Sequence, residues 1–198
     1  RQMCIRDRSN VVVASNAETK AQPASVAYVS HEEAGGVGDE CDVFGGVGQI
    51  AVSPDGAKIA ESVTNPSTPT TINDFGVVLY DFDPSSGLVS NPVVIDTPQM
   101  TLVYGCGFSP DGTQLFTTHC NIQSWVNTIK QYDISTDIMT SHLVGIPNGA
   151  VLGQLKAAND NKLYFTADNA GASNGYLHCI ADPNNSLTPD IQLDVCLL

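Results

Sequence analysis

The tetrapeptide Ser-Pro-Asp-Gly occurs twice, at residues 53–56 and 109–112, and each copy separates two runs rich in apolar residues. It is a turn with a mechanism. Pro54 and Pro110 preset φ, Asp55 and Asp111 can bond their own backbone, and Gly56 and Gly112 accept positive φ without steric cost. The flanking runs are therefore antiparallel neighbours, and the repeat constrains the fold more than any other feature of the chain.

The first complete unit opens with Gln49-Ile50-Ala51-Val52, turns at Ser53, and returns through Lys58-Ile59-Ala60-Glu61-Ser62-Val63. A polar, proline-bearing loop over 64–76 leads to Val77-Val78-Leu79-Tyr80-Asp81-Phe82. A turn at Asp83-Pro84-Ser85-Ser86-Gly87 then leads to a fourth strand near Val93-Val94-Ile95. The second unit repeats this order from Leu102, with the loop through Trp125, a third strand from Thr128 and a fourth from Ser141. A degenerate third unit follows, in which Asn159-Asp160-Asn161 stands where Pro-Asp-Gly stood. Four strands recurring at a period near 50 residues, with no helix, predict propeller blades. The expected architecture is all-β: a β-propeller fragment of four-stranded antiparallel blades, WD40-like in repeat, with about three blades and part of another.

The expected boundaries are 49–100, 101–149 and 150–198 for the three blades, with 9–48 as the end of a preceding blade and its connecting loop. Residues 1–8, Arg-Gln-Met-Cys-Ile-Arg-Asp-Arg, carry three of the eight basic residues and differ in character from the rest. They read as a non-native leader and are excluded from fold reasoning. Beyond them, five lysines face twenty acidic side chains, a net charge of −15. Such a surface repels nucleic acid and anionic membranes. No apolar run approaches the roughly 20 residues of a membrane-crossing helix, so no membrane insertion is expected.

Chemistry-bearing motifs are few. Asp81-Phe82-Asp83-Pro84-Ser85-Ser86-Gly87 has the opening of a calcium loop, but its glycine is one place late and no glutamate closes it. It reads as a turn. His31, His119, His142 and His178 are scattered, without a Gly-x-Ser-x-Gly elbow or a His-Glu-x-x-His pair. Gly45-Gly46-Val47-Gly48 lacks the Lys-Ser/Thr of a phosphate loop. No catalytic residue, metal site or cofactor is expected. No Cys-x-x-Cys pair occurs. Cys106 with Cys120 and Cys179 with Cys196 are candidate disulfides, against the alternative of buried free thiols.

Alternate connections of a four-stranded antiparallel blade emerge at alternate ends, so the Ser-Pro-Asp-Gly turns share one face and the loops at 64–76, 119–127 and 168–175 share the other. Long loops on a rigid scaffold are where binding is concentrated. The expected binding rim comprises Asn73, Asp74, His119, Asn121, Trp125, Asn169 and Asn174. Trp125, the sole tryptophan, either covers its own blade or forms a binding platform.

The ordered set Gly48 to Lys58, Leu79 to Asp83 with Gly87 to Pro92, Tyr104 to Gly112, Ile129 to Ile134 and Ile180 to Asn185 resembles the propeller region of large secreted Bacteroidota proteins. Those proteins end in a type 9 secretion or gliding-motility sorting domain. The resemblance spans roughly 26–198 and implies a secreted or cell-surface scaffold for adhesion or interaction, without catalytic residues to carry over. Its expected partners are a glycan or surface protein and the remaining blades of the full-length protein. A propeller hydrolase of the lactonase type is the rival, and it requires polar side chains converging on a metal in the central channel.

Overall fold

A computed structural model of the chain describes residues 47–64, 75–98, 100–146, 150–169 and 172–197. The expected leader at 1–8 and the strands anticipated around 11–14 and 25–29 lie outside the described residues. So does most of the 64–76 loop, with Asn73 and Asp74. The described residues form twelve strands and no helix, in three four-stranded antiparallel sheets. The first holds β1 (Val47–Val52), β2 (Lys58–Thr64), β3 (Phe75–Asp83) and β4 (Leu88–Asp96). The second holds β5 (Thr101–Phe108), β6 (Gln114–Asn121), β7 (Asn127–Asp133) and β8 (Ile138–Val144). The third holds β9 (Ala150–Ala157), β10 (Leu163–Asn169), β11 (Ala172–Ile180) and β12 (Ile191–Leu197). Every sheet is a meander in chain order, each strand pairing with the one before it.

The repeated tetrapeptide builds the first hairpin of two sheets in the same way. Asp55 Oδ1 accepts hydrogen bonds from Ser53 Oγ at 2.6 Å and Ala57 N at 3.0 Å, while Gly56 N donates to Ser53 O at 2.9 Å. Asp111, Ser109, Thr113 and Gly112 repeat those contacts at matching distances. Gly56 and Gly112 have φ of +72° and +76°. Asn161, with φ +63°, takes their place in the third sheet, because asparagine tolerates the left-handed region better than most residues.

The sheets stack face to face. Ala60, Val77 and Leu79 of the first pack with Val103, Cys106, Phe108 and Leu115 of the second. Phe116, Ile129 and Val144 of the second pack with Leu152, Leu155, Leu163, Phe165 and Ile180 of the third. A middle sheet covered on both faces buries both sides of its strands, which is why β6 is buried along almost its whole length and lacks a polar face.

The first strands lie innermost, with β5 packed between β1 and β9. Their backbones approach closely because the side chains are missing: a Cβ on Gly105 would fall 2.5 Å from Gly153 O. Hydroxyls on the second strands bridge the seams. Ser62 Oγ donates to Tyr104 O at 2.5 Å, and Thr118 Oγ1 to Gly153 O at 3.1 Å. Gln49 reaches across all three sheets. Its Oε1 accepts from Cys106 N at 3.1 Å and Leu155 N at 2.9 Å, and its Nε2 donates to Leu155 O at 2.7 Å. Meanders arranged with their first strands gathered together and their faces stacked in chain order are propeller blades.

Neither candidate disulfide forms. Cys106, Cys120 and Cys179 are free and buried. In the β5–β6 register Cys106 lies opposite Thr117 and Cys120 opposite Leu102. The two thiols also face different blades: Cys106 Sγ contacts Gln49 O and Ala60 O, whereas Cys120 Sγ contacts Ala150 O. Cys179 lies opposite Gln192 and Cys196 opposite Leu177, so that pair too is out of register. Burial pushes the Cys106 thiol up to about 12.

Candidate functional site

Strand alternation places the Ser-Pro-Asp-Gly turns at one end of the blades and the loop joining β6 to β7 at the other. The two turns adjoin: a Cβ on Gly112 would lie 3.4 Å from Pro54 Cδ. Asp111 N donates to Asn184 Oδ1 at 3.3 Å, extending this end to the third blade. The opposite end carries the candidate binding rim.

The 119–127 loop is shorter than expected, because β6 runs to Asn121 and β7 starts at Asn127. What remains is a tightly tied turn. Asn121 N donates to Val126 O at 3.0 Å and Trp125 N to Asn121 O at 2.8 Å. The Asn121 side chain accepts from Gln123 N, Ser124 N and Ser124 Oγ at 2.9–3.1 Å. Ile122 N donates to Met100 O at 2.9 Å, fastening the turn to the strand connection beneath it. On this frame Trp125 and Val126 are each 44% exposed, and Trp125 has φ +55°. A bulky residue at positive φ is uncommon. It places Trp125 on the rim turn with a little under half of its surface exposed.

The other expected rim residues separate. His119 is buried between the first two blades, 2% exposed, and leaves the rim. Strand alternation points it inward beside Thr117, whose Oγ1 lies 2.7 Å from its Nε2. Asn121 is at the rim but its side-chain oxygen is spent on the turn. Asn169 ends β10 and Asn174 lies within β11, because these strands extend through most of the expected 168–175 loop. Sequence reasoning read that segment as loop from its Asn, Gly and Ser content; pairing of Asp168 with Ser173 and Asn169 with Ala172 overrides the composition.

Two polar clusters lie between blades. At the first seam Lys130 Nζ meets Asp96 Oδ2 at 2.5 Å, and His119 Nε2 lies 3.8 Å from the same oxygen. Burial, followed by the nearby Lys130 ammonium, lowers His119 to about 3, so it is neutral and Asp96 is paired with Lys130. At the second seam Gln131 Nε2 donates to Gln114 Oε1 and to Asn185 O, and His142 Nε2 lies 3.1 Å from Gln131 Oε1. These groups stitch blades, and within them His119 Nδ1 is buried without a hydrogen-bond partner. Among the described residues no three His, Cys, Asp or Glu side chains are grouped to hold a metal ion.

No family model matches the chain, and no curated protein matches it. Solved structures do. An Agrobacterium tumefaciens protein assigned as TolB is 17% identical over 74% of this chain and 46% of its own, with a TM-score of 0.47. A puromycin-hydrolyzing peptidase of Mycobacterium tuberculosis is 16% identical over 76% of this chain and 22% of its own, TM-score 0.48. Dipeptidyl peptidase 4 of Porphyromonas gingivalis is 9% identical over 71% and 23%, TM-score 0.43. The chain thus spans less than half the length of each. The propeller assignment rests on the blades themselves.

Proposed function

We propose that this propeller is a non-enzymatic binding scaffold of a secreted or cell-surface protein, engaging a glycan or a surface protein through its loop rim. One observation carries the reading: Trp125, 44% exposed, sits on a rim turn fixed by six hydrogen bonds. A partly exposed indole on a fixed backbone offers a large contact face at small entropic cost, whether it stacks on a sugar ring or fills an apolar pocket. The net charge of −13 supports a setting away from nucleic acid and anionic lipid. The ordered motifs that resemble those of secreted Bacteroidota propeller proteins supply the same setting.

The test is a glycan and surface-protein array probed with wild type and Trp125→Ala. The expected result is at least one binder whose signal falls about tenfold or more in the variant, the scale of a central aromatic contact, with an unchanged melting temperature. Binding that survives the substitution, or a variant that melts earlier because the indole covers the blade, would overturn the reading.

A further inference from the structure

Among the described residues each blade ends in an outer strand with an unpaired edge, and the three edges differ. Such an edge is a template for another chain, and proteins usually blunt it with proline, charge or a bulge. The first blade does so: β4 contains Pro92 and has Asn91 at φ +50°, and its pairing with β3 shifts register twice. The third also does so, with a register shift between β11 and β12 and Asp194 at φ +55°.

The outer strand of the middle blade carries none of these devices. All seven residues of β8 pair without interruption with β7, from Ile138 opposite Asp133 to Val144 opposite Asn127. Its sequence, Ile-Met-Thr-Ser-His-Leu-Val, holds no proline and no Lys, Arg, Asp or Glu. Burial lowers His142, so it too is uncharged near neutrality. Two apolar side chains stand out from the strand: Leu143 is 79% exposed and Ile138 60% exposed. The carboxylates of Asp133 and Asp137 lie at one end of the strand. Asp133 is held far below the usual carboxylate range by hydrogen bonds from Gln114 and Ser135. Val126, 44% exposed, belongs to the turn at the other end.

We propose that β8 is a docking edge for an extended peptide segment of a partner protein, which adds to the middle blade as a fifth strand. Main-chain hydrogen bonds supply the common part of the affinity, and alternate side chains supply the selection. Leu143 and Ile138 lie on opposite faces of the strand, five residues apart, so a partner segment that alternates apolar with polar residues meets Leu143 with its apolar face, and it is basic, because the chain it approaches carries −13 and the near end of the strand is acidic. A second copy of this chain is disfavoured by the same charge. This rests on the binding-scaffold reading but not on Trp125.

The probe is an end-capped peptide of alternating valine and lysine, about nine residues long, which covers β8 at about 3.3 Å per residue. Amide exchange of the full chain is followed by nuclear magnetic resonance. The expected result is that every second amide between 138 and 144 exchanges about tenfold more slowly with peptide, as paired edge amides do. Leu143→Ser should weaken the peptide about tenfold through lost apolar contact, and Trp125→Ala should leave it unaffected. A valine–glutamate peptide should not bind, and neither should one N-methylated at its alternate amides. No protection of β8, protection of β4 or β12 in its place, or equal binding by the N-methylated peptide would overturn the proposal. Persistence of the Trp125-dependent array signal in that event would leave the scaffold reading standing, and loss of that signal with β8 protection intact would remove the Trp125 rim alone.

Discussion

Gln49 does what several side chains would otherwise have to do at the blade axis. Its amide satisfies Cys106 N, Leu155 N and Leu155 O, backbone groups whose own strands cannot pair with them at the crowded centre. Removing a partner from a buried backbone group costs about 1–3 kcal/mol each, so Gln49→Ala should lower unfolding stability by at least about 2 kcal/mol. Gln49→Glu should be nearly as harmful, because a carboxylate cannot donate to Leu155 O. Urea unfolding midpoints check both, and a midpoint unchanged in Gln49→Ala would mean that water replaces the amide. The glycines of the tetrapeptide act differently. Gly112 at φ +76° has only Pro54 near its missing Cβ, at 3.4 Å, so the objection to a side chain there is mainly conformational. Gly112→Val should cost about 1–2 kcal/mol. Gly112→Asn should cost clearly less, since Asn161 already occupies the matching position of the third blade. Equal melting temperatures for Gly112→Val and Gly112→Asn would show that φ is not what selects glycine.

At the scale of elements, the rim turn is organised by one side chain. The Asn121 side chain accepts three hydrogen bonds from residues 123 and 124, while β6 and β7 fix only its ends. Asn121→Ala should leave the blade standing, with unfolding stability lowered by about 1 kcal/mol as for a lost cap. It should loosen the turn, read as faster depolarisation of Trp125 fluorescence. An unchanged anisotropy decay would assign the rigidity to the Ile122 N to Met100 O bond instead. Much of this architecture was legible in the sequence. Proline, aspartate and glycine at fixed offsets encode their own hydrogen bonds, so the first hairpins and the strand order could be read from residues 53–56 and 109–112. The inward turn of His119, the lengthening of β10 and β11 through asparagine-rich sequence, and the separation of Cys106 from Cys120 could not. Each depends on register against a neighbouring strand, and register is a property of two segments that no local composition records. Gln49 was equally hidden, since its importance comes from Leu155, a partner 106 positions away.

At the scale of the whole molecule, the three described blades meet at two seams, and each contains histidine in its neutral form. His119 lies in the first seam. His142 bonds Gln131 and His178 lies 5.2 Å from the Phe165 ring in the second, with His178 Nδ1 accepting from Asp194 N at 3.0 Å. Burial lowers all three. For His119 it acts together with Lys130 and brings the value to about 3, and for His178 it outweighs the raising effect of Asp194. The sign of the linkage follows. Below the ordinary value of 6.5 the unfolded chain takes up protons that the stacked blades refuse, so stability is full above that pH and falls as pH drops. His119 alone contributes a slope of about 1.4 kcal/mol per pH unit, continuing to its folded value of about 3. The turn carboxylates act later. Asp83, lowered to about 2 by hydrogen bonds from Ser86 and Ser85, loses its contribution only as pH falls below its ordinary 3.8. The urea midpoint should therefore begin to fall between pH 6.5 and 4.5, ahead of carboxylate titration, and the two seams should weaken together. His119→Gln retains a polar group beside Thr117 without a titrating proton. It should flatten the curve in that interval by about 1.4 kcal/mol per pH unit while the limb below pH 4 remains. A wild-type midpoint constant from pH 6.5 to 4.5 would mean that these histidines are solvated or protonated between the blades, and that the seams are not dry.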